Sequence, residues 1–288
     1  MASHKTALIT DSACDLPPDL LQQYDVRVVP LYLIWGQEQL RDRVDIQPVE
    51  FYNRLVTDPV QPTTSQPTPQ DFAEAIRKAM HDGAEEAVVI TISGAMSSTI
   101  NSAQQALEML GDQFPVHIVD SKANSMSQGW QVLAAARARD AGGGAEDMIA
   151  AAGQVRKNLV TRLYLDTIEY MYRGGRIGAA AHWVGSLLNL KPLLSVNHNT
   201  GGVEPEGRTR TRTKGIEGIY QSFFQQLSGH KTLRVAVLHG NVPETVKEIA
   251  ERIRREYSPV ELLTEMTSPV MGVHTGPGAL ALCGYYED

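Results

Sequence analysis

The chain has 288 residues, 42% of them hydrophobic, with 26 basic residues against 33 acidic and a formal net charge of −7. That length suits one large or two modest domains, and the apolar share excludes wholesale disorder. The acidic balance argues against a general nucleic-acid binder, which needs basic surface to displace counterions. Two cysteines, Cys14 and Cys283, provide neither a disulfide scaffold nor a zinc cluster.

Thr6–Thr10 predicts a short apolar strand that runs into an Asp11-Ser12 turn. Pro17 and Pro18 open a helix through Tyr24, since proline suits a first helical turn. Val26–Trp35 predicts a second strand and Gln47–Val56 a helix. Thr57–Pro69 holds four prolines and predicts a loop. Pro69–Met80 predicts an amphipathic helix, Ala87–Ile92 a buried strand and Ser97–Leu110 a helix. A strand at Val116–Val119 and a helix from Ser127 complete the first half. This alternation implies a parallel sheet with flanking helices.

A boundary at Ala141–Gly144, or after the next helix near Lys157, divides the chain into α/β domains at 1–157 and 158–288. In the second, Thr161–Asp166 predicts a strand, and Lys191–Val196 pairs with Gly202–Gly207 as a hairpin around Asn199-Thr200-Gly201. Helices at Gly215–Leu227 and Val242–Glu256 alternate with strands at Arg234–Leu238, Val260–Leu263 and Ala279–Tyr286. Hairpins bring antiparallel neighbours, so a mixed sheet is expected here. Gly178–Leu190 is apolar, with Trp183 and Leu187, and suits either a core helix or a lid that touches lipid. Neither a secretory leader pattern nor an apolar run near the roughly 20 residues of a membrane span occurs, so a cytoplasmic protein is expected.

No Walker A loop, G-x-S-x-G elbow or H-E-x-x-H helix is present, so neither an ATP site nor a metal site is expected. Gly276-x-Gly278-x-x-Ala281 has dinucleotide spacing but precedes a strand instead of following one. What stands out is hydroxyl density in three loops: Thr63-Thr64-Ser65, Ser93-Gly94-Ala95-Met96-Ser97-Ser98-Thr99, and Asp120-Ser121. Loops beyond the carboxyl ends of parallel strands form ligand crevices, and a helix N-terminus there favours an anion. The same hydroxyls also suit helix caps and turns. His274 lies in a glycine-rich stretch read as a turn, and a lone histidine serves structure as readily as binding. Arg173-Gly174-Gly175-Arg176 and the alternating Arg208–Lys214 segment supply local basic patches; period two in the latter suggests cations on one strand face.

Taken in order, Thr10-Asp11-Ser12, Thr64-Ser65-Gln66-Pro67, Ser93-Gly94-x-x-Ser97, Val119-Asp120-Ser121, Tyr172–Ile177, Leu190–Leu194, Arg210-Thr211 and His274–Gly278 resemble the DegV family of bacterial fatty-acid-binding proteins. The resemblance implies two α/β domains with a long-chain fatty acid such as palmitate between them and no other cofactor. It implies that Thr64, Ser97 and His274 hold the carboxylate, with Ser93, Gly94 and Ser121 as secondary contacts. It further implies a separate ATP-dependent kinase subunit, related to dihydroxyacetone kinases, that phosphorylates the presented carboxylate, with Arg173, Arg176 and Arg210 docking it. This chain would then be a non-catalytic presenter that touches membranes transiently. Burying a C16 tail supplies roughly 11 kcal/mol of gross driving force, and hydroxyl and imidazole donors can satisfy a carboxylate that must not be buried bare. Two alternatives stand beside it: a serine/histidine hydrolase or acyl transferase, and a fatty-acid-sensing regulator.

Overall fold

The structure, a computed structural model, describes residues 5–111, 114–183, 191–229 and 231–287. In chain order the elements are β1 (Thr6–Asp11), α1 (Pro18–Gln23), β2 (Val26–Val29), β3 (Tyr32–Trp35), β4 (Glu38–Arg41), α2 (Pro48–Thr57), β5 (Thr63–Ser65), α3 (Pro69–His81), β6 (Glu86–Thr91), α4 (Thr99–Leu110), β7 (Val116–Asp120), α5 (Ser125–Asp140) and α6 (Ala145–Asn158). There follow β8 (Val160–Tyr164), α7 (Glu169–Arg173), β9 (Lys191–Asn197), β10 (Gly202–Thr209), α8 (Arg212–Gln226), β11 (Thr232–His239), α9 (Pro243–Tyr257), β12 (Glu261–Met266), α10 (Pro269–Thr275) and β13 (Leu280–Glu287).

The α/β class and both expected sheets are present. One sheet is wholly parallel, in the order β2-β1-β6-β7. Its central strand β1 is buried at every position, as a strand covered on both faces must be. The other sheet has six strands in the order β10-β9-β8-β13-β11-β12 and is mixed; only β11 and β12 run parallel. A single apolar cluster joins Leu8 and Ile90 of the parallel sheet, Trp130 and Leu133 of α5, and Ala236, Cys283 and Tyr285 of the mixed sheet. Helix α5 therefore lies between the sheets, and 12 of its residues are buried.

Several boundaries differ from expectation. Val26–Trp35 is not one strand: β2 pairs with β1, the chain breaks at Pro30-Leu31, and β3 enters a third, antiparallel sheet, β4-β3-β5. Proline lacks the N–H that a ladder needs, so the break falls there. The proline-rich loop contains β5, three residues held by β3. Arg208–Lys214 is not one strand either, because β10 ends at Thr209 and Thr211 caps α8, its hydroxyl accepting from the Lys214 N–H. The segment read as either a core helix or a lid is a 3₁₀ helix over Gly178–Trp183; the rest of it, 184–190, lies outside the described residues. Among the described residues no helix is long and apolar enough to cross a membrane, and both cysteines are buried and unpaired.

Candidate functional site

A cavity opens between the sheets. One wall is the inner face of the mixed sheet, with Leu163 on β8, Val196 on β9, and Ala281 and Cys283 on β13. The facing wall comes from the loops after β1 and β6, the start of α5 and helix α10. The cavity is narrow, about 90 Å³ in volume, within about 970 Å³ of atom-free space that includes its open mouth. The exposed lining is mostly apolar, and Thr64, Ser97, Arg176 and His274 all take part in it.

Two of these polar residues meet directly. Thr64 Oγ1 and His274 Nε2 lie 2.9 Å apart. Thr64 is presented by β5, whose pairing Leu33↔Thr64 fixes its register. His274 sits in the last turn of α10, a helix where the sequence suggested a turn. Pro269 at the first position favours that helix. Gly272 is a packing glycine: a Cβ there would lie 2.4 Å from the Phe51 ring and 2.8 Å from the Tyr52 hydroxyl. Gly276, at φ 71°, then ends the helix.

The other end of α10 is anchored by two buried carboxylates. The Ser268 N–H donates to Asp15 Oδ1 at 2.8 Å, and the Val270 N–H donates to Asp42 Oδ1 at 3.2 Å. Asp15 also accepts from Ser125 Oγ and from Arg43. Burial pushes the Asp42 carboxyl up to about 7. Burial, aided by the Arg176 cation, pulls His274 down to about 4, so the imidazole is neutral near pH 7.

Ser97 lines the same cavity, with its hydroxyl 2.8 Å from Thr99 Oγ1 and accepting from the Thr99 N–H. Arg176, expected only as a docking residue, reaches the mouth, donating from Nε to the Met96 carbonyl and from NH1 to the Gly174 carbonyl. Ser93, Gly94 and Ser121 are not among the cavity-lining residues. Ser93 Oγ donates to the Gly201 carbonyl, tying the β9–β10 hairpin to this loop. The Gly94 N–H donates to Asp120, and Ser121 closes a local turn with Ala123. Arg173 pairs with Glu169 on the surface, and Arg210 is exposed where β10 gives way to α8.

The DegV family model matches residues 5–287. The chain belongs to the DegV family. Protein DegV of Bacillus subtilis is 30% identical over 282 residues, 98% of this chain and 99% of that protein. A DegV domain-containing protein of Deinococcus radiodurans is 34% identical over 96% of this chain and 94% of its own length. Among solved structures, a fatty-acid-binding DegV family protein of Thermus thermophilus superposes with a TM-score of 0.90 at 35% identity, over 98% of this chain and all of that one. A stearic acid-binding protein of Eubacterium ventriosum has a TM-score of 0.88 at 28% identity, over 98% of this chain and 97% of its own. These two fatty-acid-binding neighbours share the fold of this chain.

Sequence reasoning did not find the cavity wall. Ala281 and Cys283 alternate on β13, and period two marks a shared face without saying that the face borders a void.

Proposed function

We propose that this DegV-family chain binds one long-chain fatty acid. The observation that carries it is a narrow, largely apolar cavity whose wall includes the directly contacting Thr64–His274 pair. A slender space suits an unbranched alkyl chain, and the apolar wall takes methylenes at about 0.8 kcal/mol each. Thr64, Ser97 and His274 receive the carboxylate, with the Arg176 cation at the mouth. The stearic acid-binding relative of Eubacterium ventriosum supports the ligand class.

In the same proposal the chain presents its carboxylate to a separate ATP-dependent kinase subunit, which docks on Arg173, Arg176 and Arg210. A cytoplasmic protein divided at residues 157 and 158, which exchanges lipid with membranes through the segment from Gly178, fits that role. The Thr64–His274 contact also resembles a nucleophile–base pair, but the second ring nitrogen of His274 has no carboxylate to orient it among the described residues. Binding without turnover is therefore favoured over hydrolysis.

Solvent extraction and mass spectrometry of the purified protein, with and without added palmitate, test the ligand. A stoichiometric fatty acid is expected; a protein that neither carries nor takes up one refutes the proposal. Charge reversal at Arg173 and Arg210 is expected to slow acyl phosphate formation by a DegV-type kinase partner and leave palmitate affinity unchanged.

A further inference from the structure

Gly174 follows α7 with φ −75° and ψ −7°, ordinary right-handed backbone that any residue adopts. Nothing in its own conformation calls for glycine. Its surroundings do: a Cβ at this position would lie 2.1 Å from His274 Nδ1, 2.7 Å from Cε1 and 3.3 Å from Cγ. Those three distances put the position on the outer side of Nδ1, close to the ring plane, and not over the ring face. In glycine a hydrogen occupies that direction, so a Cα–H of Gly174 points at the nitrogen.

A C–H aimed at Nδ1 along its outer edge is a weak donor to a lone pair and collides with an N–H. Nδ1 has no other partner among the described residues. The ring proton then belongs on Nε2, which faces Thr64 Oγ1 at 2.9 Å. With Nε2–H donating, Thr64 accepts from the imidazole, and its own hydroxyl hydrogen is left for a ligand oxygen.

We propose that Gly174 is a positioning residue for the carboxylate site. It seats the His274 ring, fixes the Nε2–H tautomer and so makes Thr64 a donor. The glycine acts through His274 and does not touch the ligand. The Arg-Gly-Gly-Arg segment thereby has an inward use besides the surface its arginines offer. Helix α7 is tied to α10 a second time, because Tyr170 packs where a Cβ on Gly276 would come within 2.3 Å of its ring. The depressed proton affinity of His274 agrees, since an imidazolium would need a hydrogen on Nδ1 as well.

The ligand part of the inference rests on the fatty-acid proposal; the tautomer part does not. Nitrogen-15 NMR of the histidine-labelled, ligand-free protein near pH 7 is expected to show His274 protonated at Nε2 and bare at Nδ1. An Nδ1–H signal overturns the inference whether or not the protein binds lipid. Gly174→Ala is expected to disturb these shifts and to weaken hexadecanoate binding about tenfold, with hexadecanol binding little changed. Wild-type shifts and affinity in Gly174→Ala overturn it. If Gly174→Ala fails to fold, the double variant Gly174→Ala/His274→Ala decides. It is expected to fold as well as His274→Ala alone, because the ring that opposes the methyl is gone. A double variant that also fails to fold places the clash elsewhere and refutes the assignment. A wild-type protein that shows the Nε2–H tautomer but binds no fatty acid removes the ligand proposal and leaves the positioning role standing.

Discussion

Thr64 and His274 are 210 positions apart in the sequence and 2.9 Å apart in the fold. The contact joins the three-stranded sheet to α10, so each side of the cradle depends on a different part of the chain.

Thr64→Val keeps the shape of the side chain and removes the hydroxyl. A hydrogen bond to a charged group contributes roughly 1.5–3 kcal/mol. Palmitate affinity is expected to fall about tenfold to a hundredfold, with the fold intact. Titration calorimetry against palmitate and hexadecanol separates carboxylate recognition from tail burial; an equal loss for both ligands contradicts the assignment.

Ala281 faces the cavity from β13. Ala281→Leu fills part of the space that a tail would take. Each excluded methylene costs about 0.8 kcal/mol of binding, so the preferred chain length is expected to shorten. Competition between C12 and C18 acids measures the shift, and an unchanged order of preference counts against a tail in this cavity.

Asp42 is a buried carboxyl whose folded value, about 7, lies above its ordinary 3.8. The fold thus binds an extra proton in that window. The associated stabilisation is full below about pH 4 and is lost as pH rises through 7. Asp11 and Glu265, raised to about 6 and about 7 by burial, act in the same direction. Asp42→Asn removes its share. Between pH 5 and pH 8 the melting temperature of the variant is expected to change relative to wild type in the variant's favour. Parallel curves for the two proteins would falsify the role given to Asp42.

His274 and His198 carry the opposite sign. Burial lowers both to about 4 from an ordinary 6.5. Stability from their neutral forms is present above pH 6.5 and lost as pH falls through 4. Palmitate affinity is therefore expected to stay flat from pH 6 to pH 8, with no histidine titration in the binding curve. A step near pH 6.5 that disappears in His274→Ala contradicts a neutral imidazole.

Much of the fold was legible because its elements obey local rules. Strand β6 is a short apolar run, and α3 carries a capping box between Thr68 and Asp71 behind Pro69. What escaped was set by distant partners. Strand β5 has no strand pattern of its own and exists because β3 supplies its ladder. Helix α10 contains a glycine that local propensity penalises, yet Phe51 and Tyr52 need the space it leaves. Thr64, Ser97 and His274 were each ambiguous as single residues, and the ordered motifs along the chain grouped them. Gly174 was visible as a letter in a basic motif, but its contact with an imidazole 100 positions away has no local signature.

The placement of α5 between the two sheets bears on how the protein comes apart. Trp130 stacks edge-on with Tyr285, at a centroid distance of 5.9 Å, and donates from its indole to the Cys283 carbonyl. A chain cut between α6 and β8 would leave that indole facing water on one fragment and its tyrosine on the other. Neither piece would then keep a closed interior, so each would tend to aggregate or to seek its complement. Co-expressed halves could reassemble, and such a split pair would report on association inside a cell.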